Sequence, residues 1–163
     1  MALVVGIDPG LACCGMAVVM GEKCLALATW KHGPREGTDE ERGAAYMRDL
    51  SRLSLYMRDL VGGPVILACE TQFTAPHGSG KQWMGQQQVT LVRGMLCGAA
   101  ATWGWRVVSV TPAEAKLALC GQGNADKTAM QKMAQMRFGL DKLPSEHIAD
   151  AIGVALAAQR KLK

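Results

Sequence analysis

Short apolar runs alternate with turn residues over the first thirty positions. Residues 2–8, 15–21 and 23–30 each read as a strand, with Pro9-Gly10 and Gly21 between them. Strands in such quick succession predict an antiparallel meander. A loop over 31–37, holding His32, Gly33, Pro34 and Gly37, interrupts the pattern. The period then lengthens. Thr38 and Glu41 form a capping box, each side chain meeting a backbone donor that the first helical turn leaves unpaired. Tyr46, Leu50, Leu53, Met57 and Leu60 follow at steps of four and three, which puts them on one helical face. Gly62-Gly63 ends that helix.

The stretch Pro64–Cys69 is apolar throughout, as a strand covered on both faces requires, and it stops at Glu70. Strand, long helix, strand is the crossover that parallel neighbours need. If this strand lies beside residues 3–8, Asp8 and Glu70 emerge at the same sheet edge. A loop over 71–80, a helix over 81–103 and a fifth strand over 105–110 come next. Thr111 and Glu114 form a second capping box, with Pro112 at the first helical position. That short helix reaches Leu119, and Gly121-Gln122-Gly123 breaks it. Asn124 is placed to cap a helix ending at Gly139. Pro144-Ser145 opens a last helix over 146–160, whose basic end at Arg160 and Lys161 suits the helix dipole. The pattern predicts an α/β fold with a five-stranded mixed sheet, three antiparallel strands followed by parallel additions. With no linker or low-complexity segment, it predicts one domain over 1–163.

Composition narrows the class. At 163 residues and 49% apolar the chain can build a core, and disorder is excluded. The six cysteines contain no Cys-x-x-Cys pair. Most lie in apolar runs and read as buried, reduced thiols of a cytoplasmic protein. No apolar run is long and charge-free enough to span a membrane. The net charge of +4 hides an asymmetry: seven Lys and Arg face nine Asp and Glu up to residue 71, and eleven face five beyond it. A basic half beside isolated carboxylates suits a polyanion.

Candidate chemistry gathers at three places. Asp8 ends the first strand, where capping of the Pro9-Gly10 turn accounts for it as well as metal binding does. Glu70 ends the fourth strand. His147 and Asp150 share a face of the last helix, among Ile148, Ala149, Ala151 and Ile152. A solvent-facing His147 and a dipole-favoured Asp150 are the plainer reading, and Glu146 with Asp150 forms a competing pair. Together Asp8, Glu70, His147 and Asp150 offer the donors that two divalent cations need to flank a phosphodiester. Gly80-Lys81 lacks the earlier Gly and the following Ser or Thr of a phosphate-binding loop. Gly121-Gln122-Gly123 lacks the third glycine of a dinucleotide fingerprint.

Four blocks in order carry a resemblance: Gly6-Ile7-Asp8-Pro9-Gly10 with Gly15; Glu70 followed by Phe73; Thr111-Pro112 through Lys116, Gly121, Gly123 and Lys127; and Ala149-Asp150-Ala151. The set resembles the RuvC family of Holliday junction resolvases over essentially the whole chain. The resemblance implies a ribonuclease-H-like fold and a homodimer that cleaves four-way DNA junctions with Mg²⁺ or Mn²⁺, two ions per site. It implies branch-migration motor proteins as partners. It maps the acidic positions onto Asp8, Glu70, His147 and Asp150. His147 departs from the Asp that many members carry, and either a preference for Mn²⁺ or a proton-handling role follows from imidazole chemistry. It makes Phe73 an aromatic that stacks on junction bases, a core phenylalanine being the alternative. It makes Lys116 and Lys127 basic groups near the metals, which helical periodicity alone reads as solvated lysines. Lys81 and Arg93 become further DNA contacts on the second long helix, which in relatives contributes to the dimer interface.

The resulting expectation is a metal-dependent, structure-selective endonuclease that cuts two opposed strands and leaves 5′-phosphate and 3′-hydroxyl ends. The alternatives are a nuclease of the same fold acting on branched or flap DNA or on precursor ribosomal RNA, a nucleotide-binding phosphotransferase, and a non-catalytic DNA-binding module.

Overall fold

The computed structural model describes residues 2–60, 63–71, 80–142 and 145–162. Five strands form one sheet in the order β3-β2-β1-β4-β5. They are β1 (Leu3–Asp8), β2 (Cys13–Met20), β3 (Lys23–Lys31), β4 (Val65–Glu70) and β5 (Arg106–Val110). The first three are antiparallel neighbours, while β4 joins β1 and β5 joins β4 in parallel. The mixed sheet expected from the chain pattern is therefore present. β2 starts two residues earlier than the apolar pattern suggests. Its pairing with β1 stops at Asp8 and Gly15, whereas Cys13 and Cys14 go on to pair with Lys31 and Trp30 of β3.

Among the described residues, five α-helices cover the sheet: α1 (Asp39–Leu60), α2 (Gly80–Thr102), α3 (Pro112–Cys120), α4 (Lys127–Phe138) and α5 (Glu146–Lys161). Both capping boxes are formed. Thr38 N–H donates to Glu41 and Glu41 N–H to Thr38, and Thr111 and Glu114 repeat the exchange. Asn124 does not cap α4. The cap is Asp126, whose Oδ1 accepts from Ala129 N–H at 2.8 Å, because the cap must stand three residues before the donor it satisfies. At the start of α5, Ser145 makes no side-chain cap; its Oγ lies 3.0 Å from Thr29 Oγ1 and fastens the helix start to the edge strand β3.

Strand alternation divides the core into two layers. Leu3, Val5 and Ile7 face α1 and α2 together with Leu67, Cys69, Tyr46, Leu50 and Leu96. Val4, Ile66 and Ala68 face α3, α4 and α5. α5 is buried on nearly every side from Ile148 to Ala158, because it lies between the β1–β2 surface and α3. All six cysteines are free thiols, but only Cys14 and Cys69 are fully buried, so the expectation of mostly buried thiols holds only in part. Among the described residues no helix is long and apolar enough to cross a membrane.

Gly6 lies directly beneath α5. A Cβ there would collide with the Ala151 carbonyl and crowd Ala155, so the helix sits lower on the sheet than any other residue allows. Gly6→Ala should therefore cost roughly 1–3 kcal/mol by overpacking. Gly85→Ala, on α2 where an added Cβ meets nothing within 4 Å, should instead be neutral or gain up to about 1 kcal/mol of helix propensity. Urea denaturation midpoints of the two variants check the contrast.

Candidate active site

The parity that builds the core also aims the carboxylates. Val4, Gly6 and Asp8 share one face of β1, and Ile66, Ala68 and Glu70 share the same face of β4. The parallel register runs to Ile7 opposite Cys69, so Asp8 and Glu70 leave their strands side by side beneath the start of α5. Gly15 on β2 lets that helix come close. A Cβ at Gly15 would strike the backbone carbonyl of His147. His147 can then place Nδ1 2.6 Å from Asp8 Oδ2, and its Nε2 has no hydrogen-bond partner among the described residues. Asp150, one turn further along α5, lines a cleft of about 170 Å³ with Glu70, Lys116, Lys127 and Met130.

Charge in this cleft is poorly compensated. Burial, then the fields of Asp8 and Asp150, push Glu70 up to about 8 against the opposing pull of Lys116. Burial and Asp8 push Asp150 up to about 6, partly offset by His147, Lys127 and Lys116. The hydrogen bond that His147 donates to Asp8 raises the imidazole above its ordinary value despite burial. Carboxylates that burial and one another drive toward the protonated form are a favourable setting for a hard divalent cation, which takes oxygen donors readily. Among the described residues no three such donors are already closed around one point. The fit is therefore one of donor chemistry and charge: three carboxylates from three elements, and one imidazole whose Nδ1 pairs with Asp8 while its Nε2 stays open among the described residues.

The expected site residues divide by place. Asp8, Glu70, His147, Asp150, Lys116 and Lys127 come together. Lys127 donates to Glu146 at 2.6 Å, so the sequence competitor of His147 is engaged with a lysine rather than with Asp150. Arg93 stands on the other side of the sheet. It donates to Ser109 Oγ at 2.6 Å, and Ser109 belongs to the face of β5 opposite Val108 and Val110. Phe73 lies outside the described residues, as does the side chain of Lys81 in the first turn of α2. Periodicity placed Tyr46 on the core face of α1 but missed Arg42; both hydrogen-bond the turn following Asp8. The available signal was an arginine four residues before Tyr46 on the same apolar stripe.

The family model for crossover junction endodeoxyribonuclease RuvC matches residues 4–158. The chain belongs to the RuvC family. A RuvC of Heliobacterium modesticaldum is 30% identical over 98% of this chain and 95% of its own, and one of Natranaerobius thermophilus 28% over 94% and 92%. Among solved structures, Thermus thermophilus RuvC in complex with a Holliday junction substrate superposes with a TM-score of 0.79 at 26% identity, covering 98% of this chain and 94% of that one. The yeast mitochondrial Holliday junction resolvase Ydc2, at 12% identity and a TM-score of 0.57, shares the fold. The sheet order and its helices are thus the ribonuclease-H-like arrangement of RuvC.

The raised carboxyl pKa values set a pH dependence. A carboxyl whose pKa is higher in the folded chain binds more protons folded than unfolded, so stability falls as pH rises across the interval between the two values. Glu70 covers the interval from its ordinary 4.5 to about 8, and Asp150 that from 3.8 to about 6. His147 runs the same way: its pairing stabilises fully below 6.5 and is lost as pH climbs through the raised folded value. Metal-free protein should therefore lose stability between pH 5 and 8, and Glu70→Gln should flatten the upper part of that slope. A change of ~1 kcal/mol moves Tm by roughly 2–4 °C at this size, which thermal melts across the pH range will read. Added Mg²⁺ should raise Tm more at pH 8 than at pH 6, because the ion displaces protons from its ligands.

Proposed function

We propose that the protein is a structure-selective endodeoxyribonuclease that binds four-way DNA junctions as a homodimer and hydrolyses phosphodiesters in two opposed strands. Residues 1–163 act as a single nuclease domain. The observation that carries the reading is the gathering of Asp8, Glu70, His147 and Asp150, from two strands and one helix, at one sheet edge beside Lys116 and Lys127. That the Thermus thermophilus relative is solved with a Holliday junction substrate supports branched DNA as the ligand.

In this reading Asp8, Glu70, His147 and Asp150 hold Mg²⁺ or Mn²⁺, two ions per site. Bound there, divalent ions supply Lewis-acid stabilisation of charge on the attacking and leaving oxygens. The chain does the rest. The carboxylates orient the ions, and Asp8 fixes the ring of His147 through Nδ1. Lys116 lies close enough to Glu70 and Asp150 to lower both of their pKa values, so it can balance charge building on the scissile phosphate. Lys127 is largely exposed on its pair with Glu146, and such surface pairs are weak enough to exchange a carboxylate for a backbone phosphate. Phe73 stacks on an unpaired base, a contact worth roughly 1–3 kcal/mol. Lys81 contributes a DNA contact from α2, and Arg93, turned to Ser109 on the sheet face away from the cleft, contacts DNA only outside that cleft. Branch-migration motors are partners expected of the family.

Cleavage of a synthetic four-way junction with Mg²⁺ or Mn²⁺ tests the proposal. Wild type should nick two opposed strands and leave 5′-phosphate and 3′-hydroxyl ends, and sedimentation should give a dimer. Asp8→Asn should lose at least about 100-fold in rate, since several kcal/mol of charge stabilisation depend on the ions and each 1.36 kcal/mol is tenfold. His147→Ala should fall with it while Glu146→Ala stays near wild type. Junction that is bound but left whole while RNA is cut sinks the DNA reading, and unimpaired Asp8→Asn sinks the mechanism.

A further inference from the structure

Leu11 lies three residues beyond Asp8 in the turn joining β1 to β2, and it is 5% exposed. Its carbonyl accepts two buried hydrogen bonds from α1, one from Arg42 Nη2 at 3.0 Å and one from Tyr46 Oη at 3.1 Å. Every nitrogen of the Arg42 guanidinium is engaged: Nε donates to the His32 carbonyl at 2.9 Å, and Nη1 lies 3.4 Å from Asp39 Oδ1. Tyr46 is fully buried with the edge of His32 against its ring, centroids 4.6 Å apart. His32 is itself held between Glu36 and Asp49, at 2.9 and 2.8 Å. Both donors that reach Leu11 are therefore also held by contacts outside the turn.

Arg42 is the buried charged residue of the described chain, 6% exposed, and burying a guanidinium is costly. A methionine there would fill the apolar layer between α1 and the sheet without that cost. What the guanidinium adds is geometry. Its rigid fork ties the turn after Asp8 to the β3–α1 connection at once, which a point-charge lysine cannot do. Only glycine fits at position 10 of that turn, since a Cβ there would collide with the Cys13 carbonyl. Asp8 is thus gripped from both sides of the sheet, directly by His147 from the α5 side and through its turn by Arg42 and Tyr46 from the α1 side.

We propose that Arg42, seconded by Tyr46, is a positioning residue that sets the direction in which Asp8 leaves β1 toward the metal site. The inference rests on the reading of Asp8 as an ion ligand. Supporting groups behind ligands commonly change metal affinity or activity by 10- to 100-fold.

The test compares full-length wild type, Arg42→Met, Arg42→Lys, Tyr46→Phe and Asp8→Asn. Mn²⁺ affinity is read by calorimetry, junction binding in EDTA by gel shift, single-turnover cleavage at saturating Mn²⁺, and folding by urea denaturation. Arg42→Met should weaken Mn²⁺ binding and slow cleavage by about 10-fold or more, with metal-free junction binding unchanged. Arg42→Lys should recover only part of the loss. Tyr46→Phe removes one hydroxyl and should cost about 3-fold in Mn²⁺ affinity, within the ordinary worth of one hydrogen bond; it keeps the test decisive if Arg42→Met fails to fold. Folded Arg42 and Tyr46 variants with wild-type Mn²⁺ affinity and rate overturn the inference, even where urea stability falls. Wild type that binds Mn²⁺ no better than Asp8→Asn overturns the metal-site reading itself.

Discussion

The close approach of α5 to the sheet is the constraint on which the site depends. Two glycines permit it. Gly6 leaves space for the backbone of Ala151 and for Ala155, and Gly15 leaves space for the carbonyl of His147. Gly6 sits on the strand that ends at Asp8, and Gly15 is the β2 residue paired with Asp8. A helix raised by one methyl layer would carry His147 away from Asp8 and would move Asp150 off the cleft it shares with Glu70. The same descent buries an almost wholly apolar helix from Ile148 to Ala158, which supplies much of the driving force for the fold. Core packing and site assembly are one event here, and neither can be altered alone.

That assembly has an electrostatic cost. Asp8, Glu70 and Asp150 are brought together with partial burial, and two of the three are pushed toward their neutral forms. Pairing of His147 with Asp8 relieves some of the strain, and Lys116 some more. The remainder is uncompensated negative charge, which a divalent cation would relieve. A divalent ion held there would couple metal binding to stability. Histidine at the third position changes how that balance is struck. A carboxylate there would add to the repulsion, whereas imidazole pairs with Asp8 and leaves a second nitrogen facing away from it.

Polar fastening completes the frame. Arg160 donates to the carbonyls of Leu117 and Ala118, closing the end of α3 against α5. Lys161 reaches Glu114 and the Ser109 carbonyl, holding the α3 capping box to β5. Lys116 on α3 is thereby kept at the cleft by the far end of the helix that also carries His147. On the other side of the sheet, Arg42 and Tyr46 hold the turn of Asp8.

Local pattern determined much of this protein. Alternation and apolar runs located all five strands, and the 38–41 and 111–114 boxes started two helices where they do start, because caps and strand faces are set by neighbours in the chain. Asp8 and Glu70 at strand exits, and His147 with Asp150 on one helical face, were legible for the same reason. Tertiary structure decided what these groups meet. Whether Asp8 caps a turn or pairs across 139 residues with His147 depends on how low α5 sits, and only the folded chain shows Glu146 pairing with Lys127. Arg93 looked equivalent to Lys116 as a basic helix residue, yet the sheet separates them, since faces are assigned by packing and not by charge. Arg42 is the clearest case: a helical arginine among exposed charges in sequence, it becomes a buried fork on the turn after Asp8 because two other segments of the chain present carbonyls at its ends.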